Sequence, residues 1–272
     1  MGSNGDPYVK TWKMEPLSIG VLSALTPKEI KRDFYDDRLE KINYDTDADI
    51  IAIPVETYTA RRSYQIASKF KGRNKKIIMG GIHASLIPNE VKHYADSVVV
   101  GQAEDIWLNI LEDYKRGKLK NIYYSPCCAK PIAPDRTIFK GKKYQSLTLI
   151  ETGRGCIFDC EFCTITNFYK NTYLPRPIDE IVQEIQSIKP KYIFFVDDNI
   201  CSNITRAKKL FKALIPLKIK WFSQGSIHMA KDINLLTLMK SSGCTGVLIG
   251  FESLNKTLLK TMNKPVNIAF DF

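Results

Sequence analysis

The stretch SLTLIETGRGCIFDCEFC, residues 146–163, decides how the second half of this chain folds. An apolar run typical of a strand leads into a loop in which Cys156, Cys160 and Cys163 follow the spacing C-x3-C-x2-C. Soft thiolate ligands select iron–sulfur clusters or zinc. Because only three thiols are local, the loop predicts a [4Fe–4S] cluster with one iron open to another ligand. The alternative is a zinc site completed by a distant Cys or His.

Apolar runs and amphipathic stretches alternate on both sides of this loop, which is typical of a parallel α/β protein. The pattern predicts one domain at 12–117, a linker at 118–145 and a second domain with four β/α units at 146–272. The first domain is predicted to have strands at 18–25, 48–56, 75–81 and 96–102, and helices at 26–34, 59–71, 89–95 and 103–117. The second is predicted to have strands at 146–152, 192–197, 218–224 and 245–252, each followed by a helix.

Composition limits the classes of protein to consider. The 272 residues are 44% hydrophobic and 25% charged, which excludes disorder over most of the chain. The net charge is +11, but no dense basic run is present, so the pattern argues against a nucleic-acid partner. A basic RNA-binding or RNA-modifying protein remains an alternative. No stretch approaches the roughly 20 apolar residues of a membrane span, and the N-terminus lacks the apolar segment of a signal peptide. A cytoplasmic protein is therefore expected.

The other cysteines are expected to have no ligand role. The chain has seven, an odd number, and in a cytosolic protein they should be free thiols rather than a disulfide framework. Cys127 and Cys128 fall in the predicted linker, and the alternative for this pair is that it guards or ligates a bound group. Cys201 and Cys244 are expected to be buried as small hydrophobic residues.

The cysteine loop resembles the signature of the radical S-adenosylmethionine (radical SAM) superfamily, CxxxCxΦC with Φ aromatic, and Phe162 takes the aromatic position. Gly153, Arg154 and Gly155 are similar to the approach to this loop in the branch with an N-terminal cobalamin-binding-type domain. The resemblance implies a Rossmann-like parallel-sheet domain followed by a (β/α) barrel. Because the family barrel has six strands, the four units here imply a partial barrel, truncated after the fourth.

The resemblance also implies an enzyme. The three cysteines would hold a [4Fe–4S] cluster, S-adenosylmethionine would bind its open iron beside Phe162, and a donor such as flavodoxin or ferredoxin would reduce it. Cleavage would give a 5′-deoxyadenosyl radical that abstracts hydrogen from an unknown small-molecule substrate or, with cobalamin, supports its methylation. No catalytic side chain is assigned for the substrate. A non-catalytic iron–sulfur or zinc protein is the alternative.

Residues at the strand ends are the candidates for binding S-adenosylmethionine, because barrel active sites lie there. Asp198, after the second strand of the barrel, is expected to hold the methionyl amine, while Asp197 could instead cap the next helix. Ser223 and Gln224, after the third strand, are candidates for the ribose or the methionine carboxylate. Glu252, by resemblance, closes the fourth strand near the nucleoside.

The N-terminal domain carries the candidate cobalamin site. Gly80 and Gly81 match the place where related domains let the nucleotide tail of the corrinoid approach the backbone. The DxHxxG motif, whose His ligates cobalt, is absent, which leaves cobalamin binding open. His83 is expected to be a loop residue rather than a cobalt ligand. An incomplete barrel also exposes a strand edge, so self-association or a C-terminal partner is expected.

Overall fold

The structure is a computed structural model that describes residues 13–125 and 129–270. The chain divides into two compact units, one formed by residues 1–129 with 134–145 and the other by residues 130–133 with 146–272. Each contains a four-stranded parallel sheet, so the predicted α/β class is confirmed. Cys127 and Cys128, expected in the linker, lie outside the described residues.

The first unit is built on a parallel sheet in the order β1-β2-β3-β4. Its strands are β1 Ile50–Pro54, β2 Lys76–Gly80, β3 Ser97–Val100 and β4 Ile122–Tyr124. Its helices are α1 Leu17–Leu25, α2 Ala60–Lys71, α3 Ile82–Leu86, α4 Pro88–Val91 and α5 Trp107–Lys115. Ile77 and Met79 of β2 pack in one cluster with Phe70 of α2. Ile78 packs in another cluster with Ile110 of α5. Because helices cover both faces, the strand is a continuous apolar run.

The strand predicted at 18–25 is wrong, because this segment is helix α1. LSIGVLSAL is apolar almost all the way round, and so short an apolar run does not distinguish a buried strand from a buried helix. The helix ends at Leu25 and is capped by Thr26, whose Oγ1 donates to the carbonyl of Leu22 at 2.7 Å. The helix predicted at 26–34 is also wrong. This segment is irregular, and Arg32 Nη1 donates to the carbonyls of Ser23 and Thr26, which a further helical turn would otherwise have used.

Most of the segment 118–145, predicted to be a linker, belongs to the first unit. It contains β4, which pairs in parallel with β3 so that Val99 lies opposite Tyr123. Residues 134–145 return to α1, where Ser23 Oγ donates to Asp135 Oδ2 at 2.7 Å. The strand was missed because it has only three residues, too few to show an apolar pattern.

The second unit contains the four predicted β/α units. Its strands are β5 Thr148–Ile150, β6 Gly153–Arg154, β7 Leu174–Pro175, β8 Tyr192–Phe195, β9 Lys220–Gly225 and β10 Cys244–Ile249. Its helices are α6 Thr164–Tyr169, α7 Ile178–Ile188, α8 Ile204–Leu214, α9 Ile233–Ser241, α10 Lys256–Thr261 and α11 Pro265–Ile268. The parallel sheet has the order β10-β9-β8-β5, and β6 and β7 form a short antiparallel ribbon that was not predicted. Ile181 and Ile185 of α7 are buried in the same core as Trp221 of β9.

The sheet of the second unit is open. The strand β10 lies at one end of the order, and within the described ranges no strand pairs with its outer side. Leu248 of this strand is 70% exposed. The unit is therefore a partial barrel with an accessible apolar edge.

The longest helix among the described residues is α2, with 12 residues. No helix in that part of the chain is long and apolar enough to cross a membrane.

Candidate functional site

The cysteine loop lies at the carboxyl edge of the second sheet. β5 ends at Ile150, the ribbon strand β6 follows, and the three cysteines come between β6 and α6. Because the four strands of this sheet are parallel, the segments that follow β8, β9 and β10 emerge at the same edge. This is the edge where barrel enzymes place their active sites.

Asp198 fixes the start of the loop. Its Oδ2 accepts a hydrogen bond from the backbone N–H of Gly155 at 2.8 Å. Gly155 has φ +78°, and a β-carbon there would overlap the carbonyl oxygen of Thr172, so any other residue would strain the chain. Burial raises the pKa of Asp198, and the hydrogen bond from Gly155 opposes that rise. A contact of Asp198 with the amine of the cofactor stays a prediction.

Asp197, the neighbouring carboxylate, has a structural role. It is 1% exposed and accepts hydrogen bonds from the backbone N–H of Thr152 at 2.7 Å and from Thr152 Oγ1 at 2.5 Å. Burial raises the pKa of Asp197 to about 7, and the two hydrogen bonds oppose that rise. Asp197 thus joins the end of β8 to the chain after β5. It does not cap the next helix, since Asn203 caps α8 by accepting from the N–H of Arg206.

Asn199 was not among the predicted site residues, yet it contacts a cysteine of the loop. Its Nδ2 donates to Cys156 Sγ at 3.6 Å and to Ser226 Oγ at 2.9 Å, and its Oδ1 accepts from the N–H of Cys201 at 3.2 Å. The side chain is buried. The one signal for it in the sequence is its place in a run of three polar residues after a strand.

Glu252 lies at the carboxyl end of the β10 segment and pairs with a lysine that was not predicted. Lys264 Nζ donates to Glu252 Oε1 at 2.6 Å and to the carbonyl of Gly250 at 2.9 Å. The same Nζ lies 5.6 Å from the ring centroid of Phe162, the aromatic residue of the cysteine motif. Phe162 is itself exposed. Lys264 therefore connects the end of the last strand to the cysteine loop.

The C-terminal helices hold the far end of the loop. Asn263 Nδ2 donates to the carbonyl of Asp159 at 2.7 Å, and the N–H of Glu161 donates to the carbonyl of Met262 at 3.1 Å. A cavity of about 140 Å³ between these segments is lined by residues that include Cys160 and Lys264. The loop is thus anchored at its start by Asp198 and at its end by the connection between α10 and α11.

Ser223 and Gln224, at the end of β9, contact the segment around β8 in different ways. The buried Ser223 Oγ donates to the carbonyl of Phe195 at 2.7 Å, so its hydroxyl links β9 to β8. Gln224 is half-buried, and its backbone carbonyl accepts a hydrogen bond from the backbone N–H of Ile200 at 3.0 Å. A contact of either residue with a cofactor stays a prediction.

The three thiols lie within electrostatic reach of one another. Burial raises the pKa of the Cys160 thiol, the positive charge of Lys264 opposes that rise, and the charges of Cys163, Cys156 and Glu252 add to it.

Among the described residues, no three His, Cys, Asp or Glu side chains converge into a metal-binding group, so the loop does not form a closed ligand set in this conformation. As a donor set, three free thiols on one loop nevertheless fit an iron–sulfur cluster with one open iron.

Two other described cysteines have contacts of their own. Cys201 is buried, as expected, and its Sγ lies 3.8 Å from Met229 Sδ. Cys244, expected to be buried, is only half-buried, because it begins the edge strand β10, and its thiol contacts the carbonyl of Gly246 at 3.6 Å.

The candidate corrin edge of the first unit lies where β1 to β4 end. Gly80 is the last residue of β2, and Gly81 follows with φ +100°. A β-carbon on Gly81 would lie 2.8 Å from the carbonyl oxygen of Val55, so the backbone passes close to the end of β1. Binding of a corrin by the two glycines stays a prediction.

His83 is buried in helix α3, although a loop position was expected. Tyr64 OH donates to Glu90 Oε1 at 2.7 Å and lies 3.1 Å from His83 Nε2. Thr57 Oγ1 lies 3.2 Å from the other ring nitrogen, Nδ1. Both ring nitrogens of His83 are therefore engaged with hydroxyl groups of the protein.

Comparison with known proteins gives a family match in the second unit and relatives that align with most of the chain. Residues 150–269 match the family model of the Radical SAM superfamily. The chain is 33% identical to bacteriochlorophyllide d C-8(2)-methyltransferase of Chlorobaculum tepidum, with 91% of this chain and 60% of that protein aligned. It is 31% identical to bacteriochlorophyllide d C-12(1)-methyltransferase of the same organism, with 93% and 59% aligned. The chain therefore spans about 60% of the length of these relatives.

A solved structure with a similar fold is that of the radical S-adenosylmethionine methyltransferase TsrM from Kitasatospora setae, which has cobalamin and a [4Fe–4S] cluster bound. The TM-score is 0.74 at 14% identity, and the alignment covers 95% of this chain and 60% of TsrM. At that identity the likeness establishes the fold, and it agrees with the cysteine loop and the family match. The segment that matches the Radical SAM superfamily, residues 150–269, is therefore the one that contains the cysteine loop.

Proposed function

We propose that this chain is a radical SAM enzyme that methylates a carbon of a small-molecule substrate with the help of a corrin. The observation that carries the proposal is the position of the cysteine loop at the carboxyl edge of a parallel sheet, with Asp198, Asn199 and Glu252 beside it. The names of the two Chlorobaculum relatives favour methyl transfer over other outcomes of this chemistry.

The loop residues prepare the cluster site. Cys156, Cys160 and Cys163 would hold a [4Fe–4S] cluster as thiolates, the form of cysteine that binds metals. When bound, the cluster, S-adenosylmethionine and a corrin supply one-electron cleavage and a methyl carrier, while the protein positions them. Asn199 donates an N–H to the sulfur of Cys156 and thereby orients it. Asp198 holds the chain immediately before that cysteine.

Polar groups around the loop would bind S-adenosylmethionine beside Phe162. We assign the methionyl ammonium to the Asp198 carboxylate, since a carboxylate and an ammonium form a charge-assisted hydrogen bond. Glu252 is assigned to the nucleoside hydroxyls and Gln224 to the methionine carboxylate. Ser223 is a weaker candidate, because its hydroxyl already donates to the carbonyl of Phe195.

The first unit would supply the corrin site at the carboxyl edge of its sheet, where ligands of open α/β sheets bind. Gly80 and Gly81 would let the nucleotide tail approach the backbone. A flavodoxin or ferredoxin would provide the electron. We place the protein in the cytoplasm, where free thiols persist.

The test is anaerobic reconstitution with iron and sulfide, followed by addition of S-adenosylmethionine and cobalamin. We expect about four irons and four sulfides per chain, a change in the electron paramagnetic resonance (EPR) spectrum of the reduced cluster on adding the cofactor, and formation of 5′-deoxyadenosine or S-adenosylhomocysteine. The matched control replaces Cys156, Cys160 and Cys163 with alanine. A full cluster in that variant would contradict the ligand assignment.

Two outcomes favour the alternatives. An unchanged EPR spectrum at saturating cofactor, with no cleavage product, would indicate a non-catalytic iron–sulfur protein. RNA binding that weakens steeply with salt would indicate an RNA-binding protein instead.

A further inference from the structure

Lys264 is the charged side chain that joins the last strand to the cysteine loop. Its ammonium donates to Gly250 and Glu252 on one side, and it lies 5.6 Å from the ring of Phe162 on the other. It also lines the cavity that Cys160 lines. A single cation thus lies near two residues of the motif, the second cysteine Cys160 and the aromatic Phe162.

Because this ammonium is buried, its charge acts more strongly on the groups around it. Lys264 is 8% exposed, and a charge in a desolvated position acts on its neighbours with less screening than one in water. Glu252, its partner, has a side chain that is 32% exposed, so solvent screens the carboxylate more than the ammonium. The net field of the pair at the loop is therefore positive.

We propose that Lys264 is a positioning residue that raises the reduction potential of the cluster held by the cysteine loop. The inference rests on the proposed function, because it requires a cluster at Cys156, Cys160 and Cys163. Net charge and hydrogen bonding near the cluster are among the factors that set such potentials. Reduction adds one negative charge to a site that already carries three thiolates, and the buried ammonium stabilises that added charge.

The redox step is a simple electron transfer. One electron passes from the external reductant, titanium(III) citrate in the test below, to the cluster. Titanium(III) is oxidised, one iron site is reduced, and no bond forms or breaks. Lys264 takes no part in the transfer and acts only through its charge and its hydrogen bonds to Gly250 and Glu252.

The two members of the ion pair predict shifts of opposite sign. Lys264→Met removes the positive charge and should make the potential more negative. Glu252→Gln removes the negative charge and should make the potential less negative. The double variant should lie between the two single variants and somewhat below the wild-type value, since the field of the intact pair at the loop is net positive. A residue that only supports the fold would not produce shifts of opposite sign.

The experiment is an EPR-monitored redox titration of the anaerobically reconstituted full chain. The variants are Lys264→Met, Lys264→Arg, Glu252→Gln and the double variant. Lys264→Arg keeps the charge and should restore a potential close to that of the wild type. Lys260→Met is the matched control, because Lys260 is an exposed lysine of the neighbouring helix α10 and its loss should leave the potential unchanged.

The outcomes separate this inference from the proposed function. Equal potentials in the wild type and Lys264→Met, or shifts of the same sign in Lys264→Met and Glu252→Gln, would overturn the inference alone. If Lys264→Met does not retain a cluster, Glu252→Gln decides, and an unchanged potential in that variant overturns the inference. A wild-type chain that assembles no four-iron cluster would overturn both.

Discussion

Asn199 Nδ2 donates one hydrogen bond to the Sγ of Cys156 across 3.6 Å and another to the Oγ of Ser226 across 2.9 Å. The segment after β8, the cysteine loop and the segment after β9 therefore meet at one buried amide. Loss of this side chain would disconnect three parts of the site at once.

We expect Asn199→Ala to lower the free energy of unfolding by about 1–3 kcal/mol, the cost of leaving buried polar groups unpaired. The N–H of Cys201, which donates to Asn199 Oδ1, loses its partner in this variant. Iron content after reconstitution should also fall, because Cys156 is no longer oriented. Ser226→Ala is the control, since it removes one of these contacts and should have a smaller effect in urea titrations. Equal effects of the two variants would contradict the central role of the amide.

Gly155→Ala should be among the most damaging single changes in the loop. The left-handed φ of +78° costs a non-glycine residue about 1–2 kcal/mol, and the added methyl group would also overlap the carbonyl of Thr172. Gly246→Ala is the matched control in the same unit, because a β-carbon there meets no atom within 4 Å. Thermal unfolding of the two variants measures the difference. Similar melting temperatures would show that the loop relaxes around the methyl group.

Asp197→Asn should flatten the pH dependence of stability between about pH 4 and pH 7. The pKa of Asp197 is raised from 3.8 to about 7 by burial. In that interval the folded state keeps a proton that the unfolded state has released, so the carboxyl group makes stability fall as pH rises. An asparagine fits the same contacts, with its carbonyl accepting from the Thr152 N–H and its amide donating to Thr152 Oγ1. Urea midpoints of both proteins across this range give the difference. A constant difference with pH would show that Asp197 ionises normally.

Leu248→Lys should reduce self-association of the chain. Leu248 is 70% exposed on the edge strand β10, and a lysine on such an edge opposes pairing with another strand. Ile233→Lys, at the first residue of α9, is the control because Ile233 is equally exposed, at 73%, but lies on a helix. Sedimentation velocity at several concentrations measures association. A wild-type chain that is monomeric at every concentration would contradict the prediction.

His83→Ala should leave the optical spectrum of a cobalamin-loaded sample unchanged. Both ring nitrogens of His83 are engaged, one with Tyr64 and the other with Thr57, so neither is available to cobalt without breaking a buried contact. The variant should lose stability all the same. A wild-type spectrum with an imidazole ligand that disappears in His83→Ala would contradict this assignment, and absence of corrin binding would remove cobalamin from the proposed function.

The pattern of apolar segments predicted the four β/α units of the second domain because each strand is a run of apolar residues followed by a helix of clear periodicity. Helix α1 was predicted to be a strand, and strand β4 fell within a predicted linker. One is apolar all round and the other has three residues, so neither shows a period. In such segments tertiary packing, rather than local pattern, decides the structure.

The same limit applies to the site. Cys156, Asp198 and Glu252 were chosen as candidates because a motif or a strand end marked them. Lys264 was not, since it is one of 40 Lys and Arg residues and follows the third cysteine by about a hundred positions. Its role depends on a contact made by folding, and no spacing in the sequence encodes that contact. Asn199 is an intermediate case, at a marked strand end but without a motif of its own.

The two anchors of the cysteine loop lie far along the chain from the residues they hold. Asp198 is 43 positions after Gly155, and Asn263 is 104 positions after Asp159. During synthesis the ribosome releases the loop well before either anchor, at roughly 5–20 residues per second. The nascent thiols therefore emerge several seconds before the contacts that hold the loop can form. Both anchors of the loop are therefore in place only after residue 263 has left the exit tunnel, so the loop takes its final shape late in the synthesis of these residues.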